Sequence, residues 1–239
     1  MLRPSGVGLI RHFSNVQSLE HLPALRLNRM SKALSGHPFF DLPFLTVARE
    51  LIGKTLLWQG CGGRITEVEA YGIEDDPACH TATRKSSRLF CQENPPGTAY
   101  VYLNYGMHWM LNVLAHDGII LIRALEPQHG IATMQERRRQ QALRALCSGP
   151  GKLGQALGLT GADHGSDLTG SIFCCAGSHE IITDRRIGIS KAVDFPWRFL
   201  EKDSPWVSVP ASPNGRIAPT NRTARREVPP MPKKSRKQP

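Results

Sequence analysis

No stretch of this 239-residue chain stays apolar for long enough to cross a membrane. A helical span takes about 20 apolar residues, whereas the most apolar short run, Ile119 to Ile122, is followed at once by Arg123. A secretory leader is not expected, for a similar reason: Val7 to Ile10 is too short for its apolar core and Arg11-His12 ends it. The six cysteines (61, 79, 91, 147, 174 and 175) contain no Cys-x-x-Cys pair, so neither a zinc site nor a disulfide framework is expected. A reducing, cytoplasmic compartment is the default. Cys79-His80 stands without further ligands at metal spacing. No Gly-x-Ser-x-Gly elbow, Ser-His-Asp order, Gly-x-Gly-x-x-Gly helix start or nucleobase-deaminase signature appears. Residues 147–159 approach a phosphate loop, but the first glycine is missing and Leu153 stands where Ser or Thr would hold a metal.

Positive charge is in excess, formally +10, and its location matters more than its size. Of the 30 Lys and Arg, five lie in residues 1–38 and eight in 210–239, leaving 17; of the 20 Asp and Glu, each tail holds one, leaving 18. Residues 39–209 are therefore near neutral, at −1, between two basic tails. The first, 1–38, has weak periodicity and reads as a poorly ordered extension, superficially like an Arg-rich transit peptide, with Met30 as an alternative start. The second, 210–239, has the composition of a disordered Pro-rich tail. Both can add salt-sensitive affinity for a phosphate backbone.

Between the tails, Asp41 to Gly53 reads as a helix capped by Asp41, with Leu42, Leu45, Ala48 and Leu51 as its stripe and Gly53 as its stop. Lys54–Trp58 is strand-like, 59–63 a turn, and Arg64–Tyr71 the returning strand. A period of two places Ile65, Glu67, Glu69 and Tyr71 on one face of that strand. Two carboxylates and an aromatic ring build a core poorly and suit a polar cavity. Residues 72–96 form a long polar loop carrying His80, Arg84 and Arg88. Strands Thr98–Leu103 and Met107–Leu114 flank Asn104-Tyr105-Gly106, a tight hairpin whose tip aromatic either wedges into a partner or folds back on its sheet. The apolar strand Gly118–Leu125 contains Arg123, which needs an anion; Glu67 or Glu69 can supply one. Thr133–Leu146 reads as a basic helix, Cys147–Leu159 as a loop entering a helix near Lys152, and Arg186–Ser190 and Trp206–Val209 as final strands.

The inventory is a carboxylate strand, a histidine-bearing loop, three tyrosines (71, 102 and 105), a half-buried arginine and a phosphate-type helix start. A metal-free hydrolase acting on a flat aromatic group near phosphates fits it, with a Glu to activate water and rings to clamp the substrate. A non-catalytic binder of damaged or bent nucleic acid, or a scaffold acting on RNA, uses the same parts.

Eight collinear segments carry a resemblance: Thr66–Tyr71 (TEVEAY), Asp76–His80 (DPACH), Pro96–Tyr102 (PGTAYVY), Asn104–Met107 (NYGM), Leu111–Val113 (LNV), Ile122–Pro127 (IRALEP), Leu146–Leu153 (LCSGPGKL) and Ser204–Ser208 (SPWVS). From about Phe39 to Val209 the chain resembles the alkyladenine (3-methyladenine) DNA glycosylases. The resemblance implies one mixed α+β domain over residues 39–209, built around a curved antiparallel β-sheet with surrounding helices, whose β-hairpin enters the DNA minor groove. It further implies a monomeric, monofunctional, cofactor-free base-excision enzyme. Such an enzyme flips an alkylated purine, with deaminated purines as a second candidate class, from double-stranded DNA and hydrolyses its N-glycosidic bond. By motif, Glu69 is the general base, Arg123 helps hold the water, and Tyr71, His80 and Tyr102 sandwich the base. Asn112 lines the purine edge, Tyr105 fills the gap in the stack, and Lys152, Arg84 and Arg88 contact the DNA backbone. The enzyme is expected in the bacterial cytoplasm at the nucleoid, or in an organelle or nucleus in a eukaryote. Substrate range among 3-methyladenine, 7-methylguanine, hypoxanthine and ethenoadenine is not legible in these residues.

Overall fold

Cys61–Gly72 forms one long strand, β2, at the centre of an antiparallel sheet. The computed structural model describes Leu34, residues 38–174 and 179–214, and the backbone of 216–217. One edge of β2 pairs along its length with β5 (Gly118–His129); the other pairs first with β1 (Thr55–Trp58) and then with β8 (Arg198–Glu201). Beyond β5 lie β4 (His108–Ala115) and β3 (Ala99–Asn104), and beyond β8 lie β7 (Ile181–Asp184) and β9 (Arg216–Ile217). Strand β6 (Ile172–Phe173) pairs with β1. Among the described residues, four α-helices pack around this open sheet: α1 (Phe44–Leu51), α2 (Lys85–Glu93), α3 (Ile131–Arg138) and α4 (Pro150–Leu157). This is the single mixed α+β domain the sequence led us to expect. The core lies between the sheet and the apolar faces of α1 and α4, with Val47, Leu51, Val68, Ala70, Ile122, Leu153 and Leu157 buried together.

Most of the two tails lies outside the described residues. Where they are described, Leu34 is buried and its N–H donates to the Ile172 carbonyl (3.0 Å), while Ser212 donates to Asp184 through both its N–H and its hydroxyl.

Several local expectations fail where tertiary contacts outweigh local pattern. Ile65 does not share a face with Glu67; it is buried in the core beside Val68 and Ala70. The cause is a pair of bulges: Thr66 is an extra residue on β2 and Arg123 an extra residue on β5, each shifting the register by one. Asp41 falls in a preceding 3-10 turn, and the free N–H of Phe44 at the start of α1 is taken instead by the Asp117 carboxylate (2.7 Å). The turn after β1 is shorter than 59–63, because Trp58 already pairs with Cys61. The polar segment 72–96 contains α2, whose sequence KSSRLFCQE has little apolar period. The basic helix expected over 133–146 stops at Arg139 (φ 49°) and resumes as a 3-10 turn, Leu143–Ala145. Its charges are not all solvated: Arg137 donates to the Ala156 carbonyl (3.2 Å) and so ties α3 to α4.

Residues 186–190 and 206–209 are not strands, because side chains satisfy their backbone groups. The Ile187 N–H donates to Glu69, the Ser208 N–H to Glu67, and the Val209 carbonyl accepts from Arg198.

Candidate active site

Strand alternation leaves Glu67 and Glu69 equivalent; their partners separate them. Both are fully buried. Glu67 accepts from Arg123 Nε (2.9 Å), Arg198 Nε (2.8 Å), the Ser208 hydroxyl (2.9 Å) and the Ser208 N–H (2.5 Å). A carboxylate oxygen has about two lone-pair positions; Glu67 takes three donors on Oε1 and one on Oε2, which makes it a clamp binding β2, β5, β8 and the 206–209 segment together. Glu69 accepts at Oε2 from the Tyr71 hydroxyl (2.9 Å) and Arg123 Nη1 (3.0 Å), and at Oε1 from the Ile187 N–H (2.6 Å). By the same count about one position stays open, on Oε1, and Glu69 lines a cleft that Glu67 does not reach. The Thr66 and Arg123 bulges matter here, since they bring Arg123 within hydrogen-bond reach of both carboxylates.

The cleft encloses about 490 Å³, enough for a purine-sized group, and its lining includes Tyr71, His80, Tyr102, Asn112 and Arg123, with Asn104 and Tyr105 of the hairpin at its edge. Tyr71, at the end of β2, has the Arg186 guanidinium over its ring (4.6 Å), so a ligand must use its other face. His80 opens a short 3-10 turn after Cys79, and its ring meets that of Tyr102 edge-on at 4.4 Å. Asn112 is fixed by donating Nδ2 to the Tyr100 carbonyl (2.8 Å), which leaves its oxygen for the cleft. Tyr105 is 81% exposed at the hairpin tip. Of the three basic residues linked to DNA by sequence, the structure brings Arg84 to the cleft. Arg88 instead donates to the Thr81 carbonyl (2.5 Å), and Lys152 lies on α4 near Ser148 (3.5 Å).

Burial governs the titratable groups. It pushes the Tyr102 phenol up to about 12, and the Tyr71 phenol is raised further by burial and by Glu69 beside it, so both rings remain protonated donors. Burial, aided by the Arg84 charge, lowers His80 from its ordinary 6.5 to about 4, so the imidazole is neutral near pH 7. In the unfolded chain the same ring takes up a proton near 6.5. The unfolded state therefore holds more protons between those values, and stability contributed by His80 is present above pH 6.5 and lost as pH falls toward 4. We expect unfolding free energy to decline over this window, and His80→Gln to flatten that decline in urea titrations at stepped pH. An unchanged slope refutes the assignment.

Sequence reasoning missed the segment Ile187–Lys191, which supplies one wall of the cleft. It is held by Arg186, buried to 5% exposure, which pairs with both oxygens of fully buried Asp76 and donates to the Ala70 carbonyl (3.0 Å). No motif advertises this; the one available signal was an Arg just before a Gly-containing apolar segment, in a chain whose Asp76 had no evident role. Around the site, Arg123, Arg186 and Arg198 face Glu67, Glu69, Asp76 and Asp184. At formal charges this buried cluster is one unit negative, whereas the cleft itself is lined by Glu69 with Arg84, Arg123 and Lys191, so the attraction for a cationic group is local to Glu69. Among the described residues no three His, Cys, Asp or Glu side chains converge as they would around a metal ion, and no helix is long and apolar enough to cross a membrane.

A carboxylate with an open acceptor position beside an arginine, in an aromatic-walled cleft, is the kind of site a hydrolase uses on flat groups. Residues 38–205 match the family model for methylpurine-DNA glycosylase, and the chain belongs to this family of DNA glycosylases, hydrolases of N-glycosyl bonds. It is 49% identical over 179 residues to a protein of Rhodopseudomonas palustris, covering 72% of this chain and 86% of that one. It is 44% identical over 189 residues to one of Bradyrhizobium diazoefficiens (76% and 94%), and 43% over 183 to one of Granulibacter bethesdensis (71% and 85%). All three carry the name "Putative 3-methyladenine DNA glycosylase".

Proposed function

We propose that this chain is a monomeric, monofunctional 3-methyladenine DNA glycosylase that flips damaged purines out of duplex DNA and hydrolyses their N-glycosidic bond. The observation that carries the reading is Glu69, buried on the cleft wall with one acceptor position open and Arg123 bonded at its other oxygen. A water on Oε1 loses its proton to Glu69 as it attacks C1′, and Arg123, with donors left over, steadies it. The Glu69 carboxylate also stabilises the oxocarbenium-like charge that develops on the sugar. N3- or N7-alkylation puts positive charge on the purine, which strengthens stacking on Tyr71, His80 and Tyr102 and makes the base a good leaving group. Asn112 meets the purine edge and disfavours normal guanine. A deaminated purine is neutral and leaves less readily, so its release is slower. Arg84 at the rim, with Arg88 and Lys152 further out, contacts backbone phosphates.

The hairpin of β3 and β4 enters the minor groove and Tyr105 fills the gap left by the flipped base. Two features support this. Leu103 and Met107 beside Tyr105 are also exposed (44% and 69%), an apolar tip without a partner in the fold. In addition Tyr105 has φ 50°, unusual for a bulky residue, in a turn closed by the Met107 N–H donating to the Asn104 carbonyl (3.1 Å). Tyr105→Ser should slow release from duplex DNA by roughly 5- to 150-fold, the worth of about 1–3 kcal/mol of stacking. Its melting temperature should stay within a degree or two of the parent's, since nothing packs on the ring. Equal loss on single-stranded and duplex substrates contradicts the wedge.

The decisive assay incubates the protein in EDTA with duplexes carrying 3-methyladenine, 7-methylguanine, hypoxanthine or ethenoadenine. We expect free alkylated base and an intact abasic strand, without strand cleavage. Binding with no base released from any of the four overturns the enzymatic reading.

A further inference from the structure

His80 has two ring nitrogens, and which one carries the proton decides whether the cleft wall offers a donor or an acceptor. Its Nδ1 lies 3.0 Å from the Tyr100 hydroxyl, and that hydroxyl lies 2.8 Å from Ser87 Oγ on α2. Ser87 and Tyr100 are 3% and 6% exposed, so this chain of three groups is sealed from water at its far end. Each hydroxyl has one proton to give. Among the described residues Ser87 has no acceptor for its proton except the Tyr100 oxygen. Ser87 therefore donates to Tyr100, and Tyr100 is left with its own proton to donate to His80 Nδ1. The reverse direction would strand the Ser87 proton in the interior with nothing to bond, the costly form of an unmade hydrogen bond.

We propose that Ser87 and Tyr100 are positioning residues that lock His80 as its Nε2–H tautomer, so that the cleft presents a fixed N–H donor and selects a lone pair on its ligand. The groups facing the ring agree with a neutral imidazole: Arg84 follows it, Tyr100 and Tyr102 face it from β3, and Cys79 precedes it, with no carboxylate at the ring. Among the described residues Nε2 has no hydrogen-bond partner, and His80 lines the cleft. Resting on the glycosylase reading, the acceptor is a ring nitrogen or exocyclic oxygen of the flipped base. A neutral purine leaves with its bonding electron pair and builds negative charge, which such a donor stabilises. A cationic alkylpurine leaves neutral and needs it less.

Long-range 1H–15N spectra of the full-length 15N-labelled protein at pH 7 test the tautomer directly, with His80 signals identified by their loss in His80→Gln. We expect Nε2 protonated and Nδ1 bare. Tyr100→Phe, or Ser87→Ala should that variant fail to fold, should move the ring toward a tautomer mixture. In parallel, Tyr100→Phe should slow hypoxanthine release more than 7-methylguanine release, by about 2- to 12-fold, the worth of one hydrogen bond. Protonated Nδ1 in the parent, or a tautomer indifferent to both substitutions, overturns the lock. Equal slowing of the two bases overturns the selectivity. If the parent releases none of the four bases, the glycosylase reading fails while the spectra still decide the tautomer; if it releases others but neither of these two, the selectivity is overturned and that reading stands.

Discussion

Glu69→Gln is expected to slow base release from alkylated duplex DNA by about 10²- to 10⁴-fold, the usual contribution of a general base, while the variant still binds a duplex containing an abasic-site analogue. The geometry makes this substitution less innocent than it looks. Glu69 is an acceptor at both oxygens, to Ile187 N–H on one side and to Tyr71 and Arg123 on the other. A glutamine must turn its NH₂ toward one of these donors, so some loss of stability accompanies the loss of chemistry. The control is Glu67→Gln; Glu67 also contacts Arg123 but lies off the cleft and is held by four donors. It should lower the denaturation midpoint at least as much as Glu69→Gln and retain far more activity. A Glu69→Gln protein with parental release rates, or a Glu67→Gln protein that is the more inactive of the two at temperatures where both are folded, sinks the assignment of Glu69.

Asp76→Ala should cost about 3–5 kcal/mol of unfolding free energy, because it leaves the buried Arg186 guanidinium without its counter-charge. Arg186 closes the gap between the end of β2 and the 187–191 wall: it contacts Asp76, the Ala70 carbonyl and the Tyr71 ring, and the next residue donates to Glu69. Urea unfolding monitored by tryptophan fluorescence measures the cost. The double variant Asp76→Ala/Arg186→Met should recover a large part of it, since removing both charges is far cheaper than removing one. Base release should not recover with it, because the wall and the face of Tyr71 would still lack their anchor. A single variant that loses less than about 1 kcal/mol, the range of a surface pair, rules out this role for Asp76.

The strand carrying Glu67, Glu69 and Tyr71, the hairpin with Tyr105 at its tip, and a carboxylate partner for Arg123 were all legible along the chain. The first two rest on contacts within a strand or across one turn, which alternation and turn chemistry encode directly; the third follows from the need of an arginine in an apolar strand for an anion, met here across β2 and β5. The helix at 85–93 was not legible: its segment has few apolar residues to show a period, and it is held by contacts such as Ser87 to Tyr100. The strands expected at 186–190 and 206–209 have strand-like sequences, yet their backbone groups were claimed by Glu69, Glu67 and Arg198.

The sequence alone settled the fold class, the family and the set of chemically capable residues, because these follow from periodicity and from motifs in a fixed order. Periodicity could not separate the two glutamates; the resemblance picks Glu69, and the tertiary structure supplies a physical difference between them. Alternation makes Glu67 and Glu69 equal. Two one-residue bulges and four donors then spend Glu67 on holding strands together, and three donors leave Glu69 open to the cleft. That difference comes from residues up to 141 positions away, a separation no local pattern can register.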